Sequence, residues 1–489
     1  MEFDSLTQQR LAKLESLRAA GVDPYPPRCQ RSHTLAQALA LFAAQEAGGD
    51  TPNLQLAGRI VGWRGMGKAT FAHLADGTGR LQLYLRRDVL GEEKYAFLEN
   101  LDIGDFLGVS GHLFRTRTGE VTLEVQDYTL LAKSLHPLPE KWHGLKDVET
   151  RYRQRYLDLL ANAEVRQTFV VRSQVVAAMR RFLDGRGFLE VETPILQPLY
   201  GGAAARPFVT HHHALDRDLY LRIATELYLK RLIVGGYDKV YEIGKNFRNE
   251  GIDATHNPEH TTMESYEAYA DYHDVMRMVE EMVAYIAQEV LGTTRIVYEG
   301  QEIELTPPWR RRPMRQAILE ETGVDIGAAR DLPALRQAVG QRGLELDFKP
   351  TWAKSVDELF GTYVQPRLIQ PTFIIDYPIE LSPLAKKKAD DPTWVERFEG
   401  FAGGLELANA FTELNDPLDQ LARFQQQAAE RAAGDEEAQP FDEDFVNALL
   451  YGMPPTGGLG MGIDRLVMLL TDNSSIRDVI LFPQMRTKE

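Results

Sequence analysis

The chain has 489 residues, a formal net charge of −16 and a single cysteine, Cys29. Its length calls for two or three domains, since single cores rarely exceed about 250–300 residues. One cysteine excludes an intrachain disulfide and any cysteine-rich zinc site, and suits a reducing compartment.

The first residues, MEFDSLTQQRLAKLESL, carry Glu2 and Asp4 and no apolar core, so they do not read as a signal peptide. No run of about 18 apolar residues follows, and the expectation is a soluble cytoplasmic protein with no membrane partner. Residues 6–20 predict a helix ended by Gly21 and then Pro24, Pro26 and Pro27. Residues 34–47 predict a second, stopped by Gly48 and Gly49. Period-two alternation then takes over in LQLAGRIVGW, ATFAHLADGTGRLQLYL and DFLGVSGHLFRTRTGEVTLEV, with turn signals at Asp76-Gly77 and Thr118-Gly119-Glu120. Such a run of about 80 residues suits a five-stranded OB barrel whose open face binds single-stranded nucleic acid. The expected organisation is a helical extension over 1–54, the barrel over 55–135 and a linker over 136–150 containing Pro137, Pro139 and Gly144. Residues 151–489 form the remaining domain.

That domain mixes helices and strands. A helix over 165–184 ends at Gly185, and a strand over 187–194 is closed by Pro194. Residues 237–248 and 261–269 predict an antiparallel pair joined by a long loop. Residues 310–347 predict a largely helical insertion. Strands return over 372–375 and 404–414, and a Gly-rich strand runs into a helix beginning near Asp464. The fold class is therefore α+β.

The acidic total looks wrong for a nucleic-acid binder, because phosphate affinity depends on lysine and arginine displacing counterions. Its distribution reverses that impression. Between 59 and 87, Arg59, Arg64, Lys68, Arg80, Arg86 and Arg87 face one acid, Asp76. Residues 141–181 are also predominantly basic. Acidity concentrates at Asp435, Glu436, Glu437, Asp442, Glu443 and Asp444, which reads as a solvated loop. Two decoys drop out. Residues 62–69 nearly match the P-loop GxxxxGK[ST], but Ala69 replaces the magnesium-binding hydroxyl and a strand pattern follows where a helix is required. His211, His212 and His213 are adjacent on a strand pattern, so they alternate between faces and do not converge on one ion.

Two segments carry the chemistry: FRNEGIDATHNPEHTTME over 247–264 and GLGMGIDRLVML over 458–469. Each holds a permanently charged arginine, Arg248 and Arg465, whose fork grips phosphate or carboxylate with paired hydrogen bonds. Read blandly, Arg248 pairs with Glu250 on a surface strand and Gly458, Gly460 and Gly462 are turn glycines. Both segments, in this order, resemble the second and third motifs of the class II aminoacyl-tRNA synthetases, and residues 165–194 resemble the first, a dimer interface in that family. The resemblance implies an antiparallel-sheet catalytic domain with flanking helices, a homodimer, and a bent ATP whose α- and γ-phosphates meet Arg248 and Arg465.

Three further stretches, GGAAARPFVTHHHALDRDLYLRIATELYLKRL (201–232), LIQPTFIIDYPIELSPLAKK (368–387) and GLELANAFTELNDP (404–417), are similar to the lysine-specific branch of that class. By that resemblance Glu226 meets the α-ammonium of L-lysine, Arg248 meets its carboxylate, Glu264, Tyr266, Asn409 and Glu413 surround its ε-ammonium, and Gly202 and Phe411 belong to the same lysine site. A buried ammonium needs carboxylate partners, because its desolvation is otherwise prohibitive. Glu250, His256, His260 and Glu406 match contacts to ATP, and Glu406 and Glu413 match ligands of magnesium, up to roughly three ions with the nucleotide. In the barrel, Arg64, Phe71, Gln82 and Glu120 match contacts to the anticodon of tRNA(Lys), with Phe71 stacking on a base. The implied reaction is attack of the lysine carboxylate on the α-phosphorus, then transfer of the lysyl group to the terminal ribose of tRNA, without a covalent protein nucleophile.

One departure stands out: the family's second motif usually ends HNPEF, whereas His260 stands here in place of phenylalanine. An imidazole with an ordinary pKa near about 6.5 gives ATP affinity an expected acid limb. The rival readings are a protein lysyltransferase, which lacks the barrel, an aspartate- or asparagine-specific relative, which needs a basic side-chain pocket, and an inactive RNA-binding paralogue, which would have lost Arg248, Arg465 or the acidic pair.

Overall fold

Strands that bury every second residue along their length can close only by wrapping their apolar side inward. The computed structural model describes residues 3–45, 52–139, 145–432 and 440–487, in two units, Met1–Gly144 and Leu145–Glu489. In the first, β1 (Leu54–Gly65), β2 (Ala69–Ala75), β3 (Arg80–Arg86), β4 (Phe106–Arg115) and β5 (Val121–Ala132) form a closed barrel in the order β1-β2-β3-β5-β4. Leu56, Ile60, Ala72, Leu74, Leu83, Leu85, Leu123 and Val125 fill it and are fully buried. The helix Ser5–Ala19 is capped by the Asp4 side chain, which accepts from the Thr7 amide. The next helix, Leu35–Gln45, is tied to the barrel where the Leu35 amide donates to Asp76 (3.0 Å). Its expected end at Gly48 and Gly49 lies outside the described residues, as do residues 140–144 of the expected linker and Asp435, Glu436 and Glu437 of the acidic run. The P-loop-like stretch is the end of β1 and the turn of the β1–β2 hairpin, closed by Met66 N–H donating to the Ala69 carbonyl (2.8 Å).

The second unit contains β6 (Leu189–Glu190), β7 (Leu196–Gln197), β8 (Val209–His212), β9 (Arg217–Leu221), β10 (Lys239–Phe247), β11 (Glu259–Ala268), β12 (Arg295–Tyr298), β13 (Gln301–Glu304), β14 (Arg310–Pro313), β15 (Thr372–Pro378), β16 (Trp394–Ala402), β17 (Leu405–Thr412) and β18 (Thr456–Gly462). Eight of them make one sheet, β14-β15-β16-β17-β18-β11-β10-β6, antiparallel from β15 to β10 and parallel at its two edges. The helices Ala163–Asp184, Tyr272–Leu291 and Ile463–Leu470 pack on it through Val175, Met179, Val279, Met282 and Leu466, against Met263, Ala408 and Met461 of the sheet. Among the described residues no helix is long and apolar enough to cross a membrane.

Two differences from the sequence reading concern strands. Residues 394–402 were not expected as a strand and form β16, a central one. The stretch 310–347, expected as a helical insertion, opens with β14, which pairs Arg311 with Phe373 of β15. Three consecutive arginines conceal the strand, because they carry no alternation. Only after it do the helices Met314–Thr322, Leu332–Gln341 and Trp352–Tyr363 follow, around a separate core of Ile318, Leu335, Val356 and Phe360.

Candidate active site

Cross-strand register brings the site together. Asn409, Gly460 and Glu264 stand side by side across β17, β18 and β11, and Phe411, Gly458 and Tyr266 form the next such row on the same face. The intervening rows, Ala408–Met461–Met263 and Ala410–Leu459–Ser265, point into the core on the other face. Glycine on the middle strand leaves a trough between two walls of functional side chains. At Gly458 a Cβ would lie 1.9 Å from Glu413 Oε1 and 2.6 Å from the Tyr266 ring, so any side chain there would fill the recess. Gly202, at φ +88°, lines the same cavity, and its missing Cβ would meet Glu226 Cβ at 2.9 Å. The cavity has a volume of about 660 Å³ and is lined by every substrate and nucleotide residue expected in the second unit.

At one end the recess is acidic and closed. Glu264 accepts from the Thr225 amide (3.1 Å) and from the Tyr266 hydroxyl (3.4 Å). Burial raises the Glu264 carboxyl, opposed by the Thr225 amide, and Glu226 raises it further. Burial also lifts the Tyr266 phenol well above its usual range, with the three glutamates Glu226, Glu264 and Glu413 adding to the effect. Glu226 begins the helix Glu226–Val234, and one turn later Lys230 reaches both Glu226 and Glu413 from a fully buried position. Lys230 was not foreseen. Its signal was an i,i+4 spacing from Glu226 on the helix face that also buries Ile233. Asn409 is held by Arg397 Nε (3.2 Å), a second residue the sequence reading missed.

At the other end lie the arginines. Arg248 follows β10, with its amide donating to the Pro258 carbonyl (2.8 Å). Its buried Nε has no hydrogen-bond partner, and among the described residues Arg248 has no carboxylate partner, so the surface pairing with Glu250 does not occur. A guanidinium left this way is ready for an anion. Arg465 Nη1 donates to Glu406 Oε2 (3.1 Å) and its Nη2 lies 3.1 Å from His256 Nε2. His256 in turn contacts Asp253 (2.8 Å). Asp464 joins three elements beside Arg465: it accepts from the Thr261 amide of β11 (2.7 Å) and ion-pairs with Arg172 (2.6 Å) of the helix Ala163–Asp184.

One expectation is narrowed and another corrected. Glu406 and Glu413, both expected as ligands of magnesium ions, do not face one common ion. They are seven residues apart along an extended strand that rises about 3.3 Å per residue, which separates their Cα atoms by roughly 20 Å. Glu413 is also occupied by Lys230. Glu406 acts electrostatically on Asp357 and on Glu399, which is pushed up to about 7 by burial, with Arg397 opposing and Glu406 reinforcing the shift. His260 does not titrate near neutrality. Burial first, then the charges of Arg248 and Arg465, hold its imidazole down to about 3, so it stays neutral in the range where an acid limb was expected.

The first unit gathers its expected residues on one barrel face. Arg64 of β1 stands opposite Phe71 of β2, which stands opposite Tyr84 of β3. The Phe71 and Tyr84 rings stack, with centroids 4.7 Å apart and planes at 22°. Gln82 Nε2 donates to Glu120 Oε2 (2.7 Å), and His73 approaches the other oxygen of Glu120 (3.3 Å). Tyr84 was not foreseen, although its period-two spacing from Gln82 places it on the same face.

The family described as tRNA synthetases class II (D, K and N) matches residues 147–486, and OB-fold nucleic acid binding domains match residues 54–131. The chain is 60% identical to a lysine–tRNA ligase of Chloroflexus aurantiacus, over 100% of this chain and 99% of that protein. It is 59% identical to one of Roseiflexus castenholzii over 100% of both chains, and 54% identical to one of Halalkalibacterium halodurans over 100% of this chain and 98% of that one. On these full-length matches, and with both signature arginines in one cavity, the chain belongs to the class II tRNA synthetases and, within them, to the lysine–tRNA ligase family.

Proposed function

We propose that the chain condenses L-lysine with ATP to lysyl-adenylate and pyrophosphate and then passes the lysyl group to the 3′-terminal ribose of tRNA(Lys). The observation that carries this reading is a closed acidic recess placed beside an unpaired arginine in a single cavity. A basic amino acid fits with its ε-ammonium among Glu264, Glu413, Tyr266 and Asn409, its stem against Phe411, and its α-ammonium at Glu226 beside Gly202. Arg248 is then positioned for the carboxylate and the α-phosphate.

In the first step a carboxylate oxygen of lysine bonds to the α-phosphorus and the bond to the pyrophosphate oxygen breaks. Arg248 neutralises charge growing on the α-phosphate and Arg465 holds the γ-phosphate, so catalysis is positioning plus electrostatics. Neutral His260 offers a flat face for adenine, and Glu250 and His256 flank the nucleotide. Glu406 and Glu399, whose carboxyl is raised in part by the charge of Glu406, suit a divalent cation carried by ATP. Magnesium held there would supply positive charge to the phosphate oxygens. On the barrel, Phe71 supplies a stacking surface and Arg64, Gln82 and Glu120 the polar contacts for the anticodon. We assign the working form as a cytoplasmic homodimer, following the family.

Lysine-dependent pyrophosphate exchange tests the reading. Ornithine, one methylene shorter, loses about 1–3 kcal/mol, whereas norleucine, which lacks the ε-charge, is rejected far more strongly. Exchange with norleucine equal to that with ornithine would overturn the acidic-recess assignment.

A further inference from the structure

A recess for a cationic substrate already contains a cation of its own. Lys230 is fully buried and reaches Glu226 on its own helix and Glu413 beyond the end of β17. Its ammonium also lies 6.0 Å from the ring centroids of Tyr266 and Phe445, which close the space around it. A buried ammonium is retained only where carboxylates compensate its lost hydration, and here two do so. Their presence raises the Lys230 ammonium against the opposing effect of burial and keeps it charged.

Counting charges gives it a purpose beyond packing. The recess holds three carboxyls, Glu226, Glu264 and Glu413, and one ammonium; burial raises Glu264 and pushes Glu413 up to about 8, with Lys230 opposing at Glu413, so cations entering the recess are what bring all three to the ionised form. With all three ionised, two negative charges are left beyond Lys230, and a diamino acid brings two ammonium groups; Arg248, whose charge reaches Glu264, is assigned to the substrate carboxylate and is balanced by it. With substrate bound, three carboxylates face three ammoniums. Without Lys230 the same substrate would leave one buried carboxylate uncompensated, and with one glutamate fewer it would leave one ammonium in surplus.

We infer, on the assignment of this recess to lysine, that Lys230 is a positioning and specificity-determining residue that sets the recess to two uncompensated negative charges, so that it accepts amino acids carrying two ammonium groups. It touches no reacting atom and acts through Glu226 and Glu413.

The test is lysine KM in ATP–pyrophosphate exchange for Glu413→Gln and for the double variant Lys230→Met with Glu413→Gln, using the full-length protein. Glu413→Gln leaves two carboxylates against three ammoniums and raises the lysine KM about tenfold or more. Adding Lys230→Met restores two against two, and the double variant regains at least about tenfold of that loss, with the KM for ATP unchanged in both. A purely structural pair shows its rescue in the melting curve alone, and a double variant that regains stability with a lysine KM no better than that of Glu413→Gln overturns the inference while leaving the recess assignment intact. If Glu413→Gln itself leaves the lysine KM unchanged, the recess assignment falls and the inference with it. Should Glu413→Gln fail to fold, the double variant decides alone: a lysine KM within about tenfold of wild type supports the inference, and a folded double variant with a lysine KM raised beyond that, or an unfolded one, overturns it.

Discussion

The barrel face and the catalytic recess use the same side-chain vocabulary at opposite burial. On the barrel, Glu120 is half exposed while it binds Gln82 and His73. In the recess, Lys230 and Glu413 have no exposed side-chain surface. An exposed pair contributes about 0–1 kcal/mol, whereas removing one partner of a buried pair costs about 3–5 kcal/mol. The recess can therefore discriminate by charge, and the barrel face has to rely on ring surfaces and summed polar contacts. Substitutions in the two places should differ in size as well as in which step they affect.

The largest effect is expected at Arg248. Arg248→Ala should lower kcat/KM for pyrophosphate exchange by about 10²–10³ with an unchanged melting curve, because the side chain has no structural ion pair to lose. An equal fall in thermal stability would place Arg248 among structural residues and blur the contrast. Next comes Gly458→Ala. Its added methyl group meets Glu413 and Tyr266, and overpacking of about 1–3 kcal/mol should raise the lysine KM roughly ten- to a hundredfold and leave the KM for ATP alone. A parallel rise in both constants would mean that the strand itself had shifted.

On the barrel, Phe71→Ala should weaken tRNA by about 1–3 kcal/mol, read as a higher tRNA KM in aminoacylation, without altering pyrophosphate exchange. Loss of exchange in step with aminoacylation would show that Phe71 supports the fold through its stack on Tyr84. The smallest effect is expected at His260. The KM for ATP should follow the same pH course between about pH 6 and 8 in the wild type and in His260→Phe, since the imidazole is already neutral there. Stability behaves differently. A histidine whose folded pKa lies below its unfolded value must give up a proton to fold, so the wild type should lose urea resistance relative to His260→Phe as pH falls from about 7 to 5. A constant difference in urea midpoint across that range would show that His260 is solvated.

Much of the site was legible because its chemistry lies in contiguous strings. Arg248, Glu250, His256, His260 and Glu264 fall within one loop and strand, and Gly458 to Arg465 within another. The barrel strands were legible from alternation because one face is buried. What escaped depends on packing between distant segments. Lys230 and Arg397 look like ordinary surface cations until the fold surrounds them, and the shift of His260 requires the charges of Arg248 and Arg465 beside it. That Glu406 and Glu413 serve different parts of the cavity was legible too, since strand rise alone separates them. β14 and β16 were missed because arginine runs and mixed burial on both faces hide the period of two.

The glycines of β18 give the recess its form by leaving atoms out, and that constrains how the protein can be altered. Every replacement at Gly458 adds matter, so its position can be tuned in one direction only, towards a tighter site. Enlarging the site for bulkier lysine derivatives has to proceed through residues that have something to give up, of which Tyr266, Asn409 and Phe411 stand in the same rows. Adaptability is thus confined to the walls of the trough, and its floor is fixed.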